Sequence, residues 1–317
     1  MYKAAQLDPL SSVIQINIAG ELLTLGRTEE ARQAAQRLIR TDPDFPSSYT
    51  FLGTVEQDYG HLAEAARLYS KAMKLDPGNV STLESAAQTY VAMRAYDNAD
   101  LAIEAIETQV GKGSEPGERA RWRVLIAQSR PLDAIAILDS FPADWKALPV
   151  MKYAYMYTWI FAGEFKKARD YLYEIRPSIS DRDHWQQEFA DRDDTDCMYA
   201  GILINSGDQV LGQEFLDFSI RNLQSAYDKS NPSTGTAFAM LECYLIDGAY
   251  QQALDFLDEA TSQGQLLGDW WLLAEKPWWD PIKDDPRYIE LADRIETSIA
   301  EQRQTYLAAD TSEGTPH

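Results

Sequence analysis

The sequence predicts an all-α fold: a solenoid of stacked two-helix hairpins closed by a C-terminal capping helix. Three observations predict it. Residues 46–79, PSSYTFLGTVEQDYGHLAEAARLYSKAMKLDPGN, carry apolar and small residues at helical three-and-four spacing on two successive segments. The same residue classes return 34 positions earlier, where Gly60, Ala65 and Pro77 are matched by Gly26, Ala31 and Pro43. Hydrophobic content of 45% is ample for a continuous core, and no apolar run approaches the roughly 18 residues of a membrane span.

Within residues 46–79 the first helix is expected from about Ser47 to Tyr59, packing through Tyr49, Leu52, Gly53 and Val55. Gly60-His61 makes the turn, and a second helix follows from Leu62 to Leu75 with Ala65, Leu68, Tyr69 and Ala72 on one face. Asp76-Pro77-Gly78 ends it, because proline disfavours helical geometry in the residue before it and glycine accepts the left-handed cap. Gly53 and Ala65 are small where two helices must approach closely.

The order Tyr49, Leu52, Gly53, Gly60, Ala65, Tyr69, Ala72 and Pro77 resembles the tetratricopeptide repeat (TPR). Glu56 and Leu62 depart from the aromatics usual at their places. The resemblance implies a right-handed α-α superhelix, with the first helix of each hairpin lining a concave groove.

In chain order, residues 1–11 read as the tail of an earlier, truncated repeat, which suggests a longer parent protein with any targeting segment upstream. Repeats then occupy 12–45, 46–79 and 80–113, the last with Ser81 and Glu84 as a capping box and Arg94 at the turn. A degenerate unit fills 117–148 and a clearer one 149–180 around Gly163, Phe165 and Ala168. The acidic stretch 181–196 interrupts the spacing, and two further hairpins are expected within 194–267. Residues 268–307 hold Trp270, Trp271, Trp278 and Trp279 before a polar helix and suit a cap on the last hydrophobic face. Residues 308–317 read as a disordered tail. The whole is expected as one elongated solenoid rather than two globular domains.

Fifty acidic against 29 basic residues give a formal net charge of −21. That excludes nucleic acid and anionic membrane as direct ligands of this segment, and leaves the compartment open between bacterial cytoplasm and periplasm. The charge suits either a basic partner or simple solubility. Cys197 and Cys243 fall on different faces of neighbouring hairpins in this register, which disfavours a disulfide.

Catalytic chemistry is sparse. Of three histidines, His61 lies in a turn and His317 is terminal, leaving His184 for acid-base work. No nucleophilic triad, phosphate loop or zinc spacing is present, and neither cofactor nor metal is expected. Asp181, Asp183, His184, Glu188, Asp191, Asp193, Asp194 and Asp196 could together hold a divalent ion, but their spacing matches no calcium loop. They read as a solvated connection.

Carrying the TPR register over puts Thr50, Thr54, Gln57 and Asp58, then Ser81, Glu84 and Gln88, on a polar, acidic half of the groove. Tyr153, Tyr157, Ile160 and Phe161, then Phe238, Glu242 and Leu245, form an aromatic half, while Trp159 falls at the packing position. Chaperone-binding members hold a peptide carboxylate with Lys, Asn and Arg on such positions. Here Thr50, Thr54, Glu84 and Gln88 stand instead, so an extended or helical peptide with basic and apolar side chains fits better.

The segment PWWDPIKDDPRYIELADRI resembles the end of TPR regions in bacterial CadC-type membrane-spanning winged-helix regulators and TPR-bearing adenylate cyclases. The resemblance implies an interaction or sensor domain of a signalling or transcription-regulatory protein, binding a protein or peptide and not itself an enzyme. The alternative is a homo-oligomer formed through an exposed tryptophan-rich end.

Overall fold

A computed structural model describes residues 11–146, 148–189, 196–227 and 234–312, all helical or turn among those residues. The order begins with three hairpins: α1 (Ser12–Thr24) with α2 (Thr28–Thr41), α3 (Pro46–Asp58) with α4 (Leu62–Leu75), and α5 (Val80–Ala92) with α6 (Tyr96–Val110). Helices α7 (Glu115–Ala127) and α8 (Pro131–Ser140) follow, then α9 (Ala143–Lys146), α10 (Pro149–Phe161) and α11 (Phe165–Ile175). Two 3₁₀ turns, Pro177–Ser180 and Arg182–His184, precede α12 (Trp185–Glu188). The chain continues through α13 (Asp196–Ser206), α14 (Gln209–Tyr227), α15 (Thr234–Ile246) and α16 (Tyr250–Ser262). It ends with α17 (Trp270–Leu273), a 3₁₀ helix at Pro277–Ile282 and α18 (Pro286–Ser312).

One device closes hairpin after hairpin. A backbone N–H just past the first helix donates to the carbonyl five residues back: Arg27 to Leu22 at 2.9 Å, His61 to Glu56 at 2.8 Å, Ala95 to Tyr90 at 2.8 Å, Glu164 to Trp159 at 2.8 Å and Ala249 to Tyr244 at 2.9 Å. The residue before each donor is left-handed. Gly60 supplies it at φ 75°, whereas in the third hairpin Arg94 accepts φ 59° and in the fourth Ser129 accepts φ 56°. Turn geometry therefore persists where the glycine signal disappears.

The chain divides into two compact units. The first unit takes in the chain to Arg123 together with Leu267–Asp269 and the segment from Ile295. Its hydrophobic centre joins Ala35, Tyr49, Leu52, Leu68 and Ala72, so successive hairpins share a core that none could bury alone. Tyr306 of α18 packs here on Tyr90, with hydroxyls 2.9 Å apart, and Gln302 donates to the Gly60 carbonyl at 2.9 Å. Glu56, out of place as an aromatic substitute, is buried because Arg32 donates to both its oxygens, at 2.6 and 3.1 Å, and His61 Nδ1 lies 2.7 Å away. A charged group fills an apolar place because its lone pairs are satisfied.

The second unit takes in Val124–Leu266 and Trp270–Arg294. Cys197 of α13 and Cys243 of α15 form a disulfide, with Cα atoms 5.1 Å apart. The expectation that they face apart is corrected. They stand on the first helices of successive hairpins, and the 19-residue α14 stretches the interval to 46 residues, so a fixed 34-residue register misplaces one against the other. The third hairpin's cap is also corrected: Asn79 is the N-cap, its side chain accepting from the Thr82 amide at 3.0 Å, and Ser81 is exposed. Helix α18 runs to Ser312, past the boundary expected at 308. Residues 1–10, 147, 190–195, 228–233 and 313–317 lie outside the described residues.

Gly53 tests the close approach within one hairpin. A Cβ there would stand 2.8 Å from Cε1 of buried Tyr69. Gly53→Ala is expected to lower unfolding free energy by about 1–3 kcal/mol through overpacking, measured by urea denaturation. Unchanged stability would show that Tyr69 moves aside freely.

Candidate functional site

The first helices of the hairpins in the first unit carry a polar ladder. Thr50 and Thr82 hydroxyls meet at 2.8 Å, Thr89 donates to Gln57 Oε1 at 2.6 Å, and Thr54 lies 3.2 Å from the Tyr69 hydroxyl. Thr50, Thr54 and Gln57 are thus tied to their neighbours while remaining half-buried. Asp58 is more open. Its carboxyl is nonetheless pushed up to about 6, by desolvation and then by the neighbouring Asp269 charge. The chain passes close there, since a Cβ on Gly268 would lie 3.5 Å from Gln57 Cγ.

Glu84 does not stand free. Arg119 of α7 donates to it and reaches Glu115 Oε1 at 3.3 Å. One turn further along α7, Arg123 shares this neighbourhood, and its guanidinium is lowered to about 10 by burial and by the Arg119 charge. Its Nη1 is enclosed and has no hydrogen-bond partner among the described residues, and the same holds for Arg119 Nε. Arg121 turns elsewhere, to Glu107 at 2.9 Å. Sequence reasoning missed this pair inside a repeat it held to be degenerate. The signal was present: R-A-R-W-R at 119–123 is a basic cluster in an acidic chain. Gln88, expected on the same face, is half-buried.

In the second unit part of the expected aromatic half of the groove is covered. Lys276, fully buried, places Nζ 2.5 Å from Glu242 Oε1, which also accepts from Trp278 Nε1 at 3.0 Å. The ammonium lies 4.6 Å from the centre of the Tyr157 ring and 4.5 Å from that of Phe238, a cation–π arrangement on both sides. Trp278 packs on Phe165 with ring centres 5.6 Å apart and lies over Gly201, where a Cβ would meet its Cη2 at 2.9 Å. Tyr157, Phe238 and Glu242, expected to face a partner, instead face the chain's own C-terminal segment. Tyr153 remains half-buried.

Trp270, Trp271, Trp278 and Trp279 are all buried, which removes the exposed tryptophan surface that self-association would use. His184 Nδ1 lies 2.7 Å from Asp181 Oδ2 on an exposed turn. Asp191, Asp193 and Asp194 lie outside the described residues, as do the side chains of Glu188 and Asp196. Among the described residues no cluster of carboxylates, histidines or cysteines could hold a metal ion, and no helix is long and apolar enough to cross a membrane.

No family model matches the sequence. Similarity to known proteins is local. The chain is 33% identical over 94 residues to an Hsp70-Hsp90 organising protein of Plasmodium falciparum, covering 30% of this chain and 37% of that protein. It is 32% identical over 77 residues to small glutamine-rich tetratricopeptide repeat-containing protein 2 of Mycosarcoma maydis, covering 24% and 22%. The hairpins are similar to tetratricopeptide repeats. Among solved structures, one chain of the APC/C hetero-tetramer Cut9-Hcn1 shares the fold at TM-score 0.50 and 15% identity, over 86% of this chain and 51% of that one. A tetratricopeptide repeat protein from Parabacteroides merdae aligns at TM-score 0.44 and 15% identity, over 83% and 98%. The chain thus spans little more than a third, or less, of the length of the curated relatives it matches.

Two outcomes follow from these repeat faces. Lys276→Met leaves Glu242 buried without its cation and is expected to cost about 3–5 kcal/mol of unfolding free energy. Adding Glu242→Leu is expected to recover part of that loss, so a double-mutant cycle by chemical denaturation should return a coupling of at least about 1 kcal/mol. Asp58 gives a pH signature. Its folded pKa is raised, so the folded chain binds more protons than the unfolded one between the ordinary carboxylate value and about 6. Its contribution to stability therefore falls as pH rises through that window. The stability of Asp58→Asn relative to wild type should rise over the same window, and a pH-independent difference would contradict the raised value.

Proposed function

We infer that the chain is a non-catalytic protein-binding module and that its first unit takes a carboxylate-bearing segment of a protein partner on the face holding Thr50, Thr54, Gln88, Arg119 and Arg123. The observation that carries this reading is the enclosed Arg123 Nη1, a charged donor with no hydrogen-bond partner among the described residues. Such a group is costly to bury unless something pairs with it. A carboxylate supplies two acceptor oxygens that match a guanidinium fork. The basic peptide suggested by overall charge fits this face less well, because Glu84 is engaged by Arg119.

Repeat hairpins of this type and local similarity to an Hsp70-Hsp90 organising protein support a protein partner. The further reading, that the module serves a bacterial signalling or transcription-regulatory parent, has its support in the PWWDPIKDDPRY segment.

Fluorescence-polarisation titration of the full chain against acidic, neutral and basic peptides of matched length tests the reading. Acidic peptides should bind best, and Arg123→Gln should weaken them roughly tenfold, the scale of one charge-assisted hydrogen bond. Arg123→Lys should restore part of the loss. Raising salt should not weaken this binding, since it screens long-range repulsion from a chain of formal charge −21 more than a short enclosed contact. Preference for basic peptides, or an Arg123→Gln chain that binds as wild type, would overturn it.

A further inference from the structure

A second recess lies in the other unit, away from the covered groove. A cavity of about 470 Å³ opens between α9, α10 and α11, in the size range of ligand clefts. Its wall is an aromatic cluster: Trp159 stands 5.3 Å from Tyr155 and 5.2 Å from Tyr171 between ring centres, the latter edge-on at 76°. Tyr155 is held rigidly, being buried and donating to the Leu138 carbonyl at 2.6 Å. Trp159 and Tyr171 are half-buried and present ring surface to the cavity. Trp159 was expected to be spent in repeat packing, yet it is only half-buried and lines the cavity.

Two ammonium groups border the same cavity. Lys146 is oriented by donating to the Asp139 carbonyl at 2.9 Å. Lys152, half-buried on α10, has no acidic partner among the described residues. Glu174 is the facing carboxylate at the exposed rim, and the nearby Asp139 side chain is engaged by the Tyr155 hydroxyl at 3.3 Å. The recess therefore carries more cation than anion in a chain of formal charge −21. Rigid aromatic walls favour a planar ring through offset and edge contacts, and unpaired ammonium favours an anion.

We propose that this cavity binds a planar aromatic group bearing a carboxylate, presented either as a free aromatic acid or as an aromatic side chain flanked by acidic residues in a peptide. The ring lies against Trp159 and Tyr171, and the carboxylate meets Lys152 with Lys146 beside it. This site is independent of the Arg123 face, so either can fail without the other.

Isothermal titration calorimetry on the full chain tests it with indole-3-acetate, tryptamine and cyclohexylacetate. Indole-3-acetate should bind saturably, with tryptamine, of opposite charge, and cyclohexylacetate, whose ring is saturated and not planar, each at least roughly tenfold weaker. Lys152→Gln and Trp159→Leu should each weaken indole-3-acetate roughly tenfold, while Arg123→Gln leaves it unchanged. Lys152→Gln removes only a charge at a half-buried position, which keeps the test decisive if Trp159→Leu unfolds. The peptide acetyl-Asp-Trp-Asp-amide separates the sources: tighter binding than indole-3-acetate points to a peptide, weaker to a free acid. Absence of saturable indole-3-acetate binding, equal affinity for tryptamine, or wild-type binding by Lys152→Gln would overturn the proposal.

Discussion

The contact between Lys276 and Glu242 constrains everything around it. An ammonium and a carboxylate, both essentially without solvent, are held by two aromatic faces and an indole N–H. Charges buried this deeply are tolerated only in good geometry with further hydrogen bonds. Tyr157, Phe238 and Trp278 must therefore stay where they are, and with them the first helices that carry the two rings. Glu242 Oε2 has no partner among the described residues, so the pair is not perfectly satisfied and serves specificity of packing more plainly than it serves raw stability. A segment expected to close the end of the second unit is thereby part of its interior.

That occupancy bears on which faces remain accessible. In the second unit Lys276 lies on Tyr157 and Phe238 and, with Trp278, engages Glu242, while the Trp159 recess offers accessible aromatic surface. In the first unit the corresponding helices keep half-buried polar side chains and an enclosed guanidinium nitrogen, Arg123 Nη1, without a hydrogen-bond partner among the described residues. Acidity read from composition suggested basic partners, yet basic side chains also cluster in places. Basic residues gather where α7 presents Arg119 and Arg123, and where α9 and α10 present Lys146 and Lys152.

How much was legible follows from which interactions are local. The hairpin of residues 46–79 could be read directly, because Gly53 and Tyr69 are neighbours within one hairpin and their sizes encode the contact. The four clustered tryptophans likewise marked their segment as one that packs on apolar surface, and all four are buried. What escaped were contacts between distant residues: Lys276 meets Glu242 across 34 positions, and Cys243 meets Cys197 across 46. A repeat register treats each first helix as a copy and has no means of knowing that another segment lies on it. Arg123 was lost because its repeat lacks the turn glycine, although Ser129 adopts the left-handed conformation without it. Trp159 shows the converse error, a packing position whose side chain is also a wall.

The central claim, that residues 270–282 are core of the second unit, is tested most directly by native-state hydrogen exchange. Backbone amides there, including Lys276, which donates to Leu273, and Trp279, which donates to Lys276, should exchange as slowly as those of α10 and α15 and open with them in one cooperative step. Exchange of this segment at the rate of an unstructured chain, while α10 and α15 stay protected, would contradict the account.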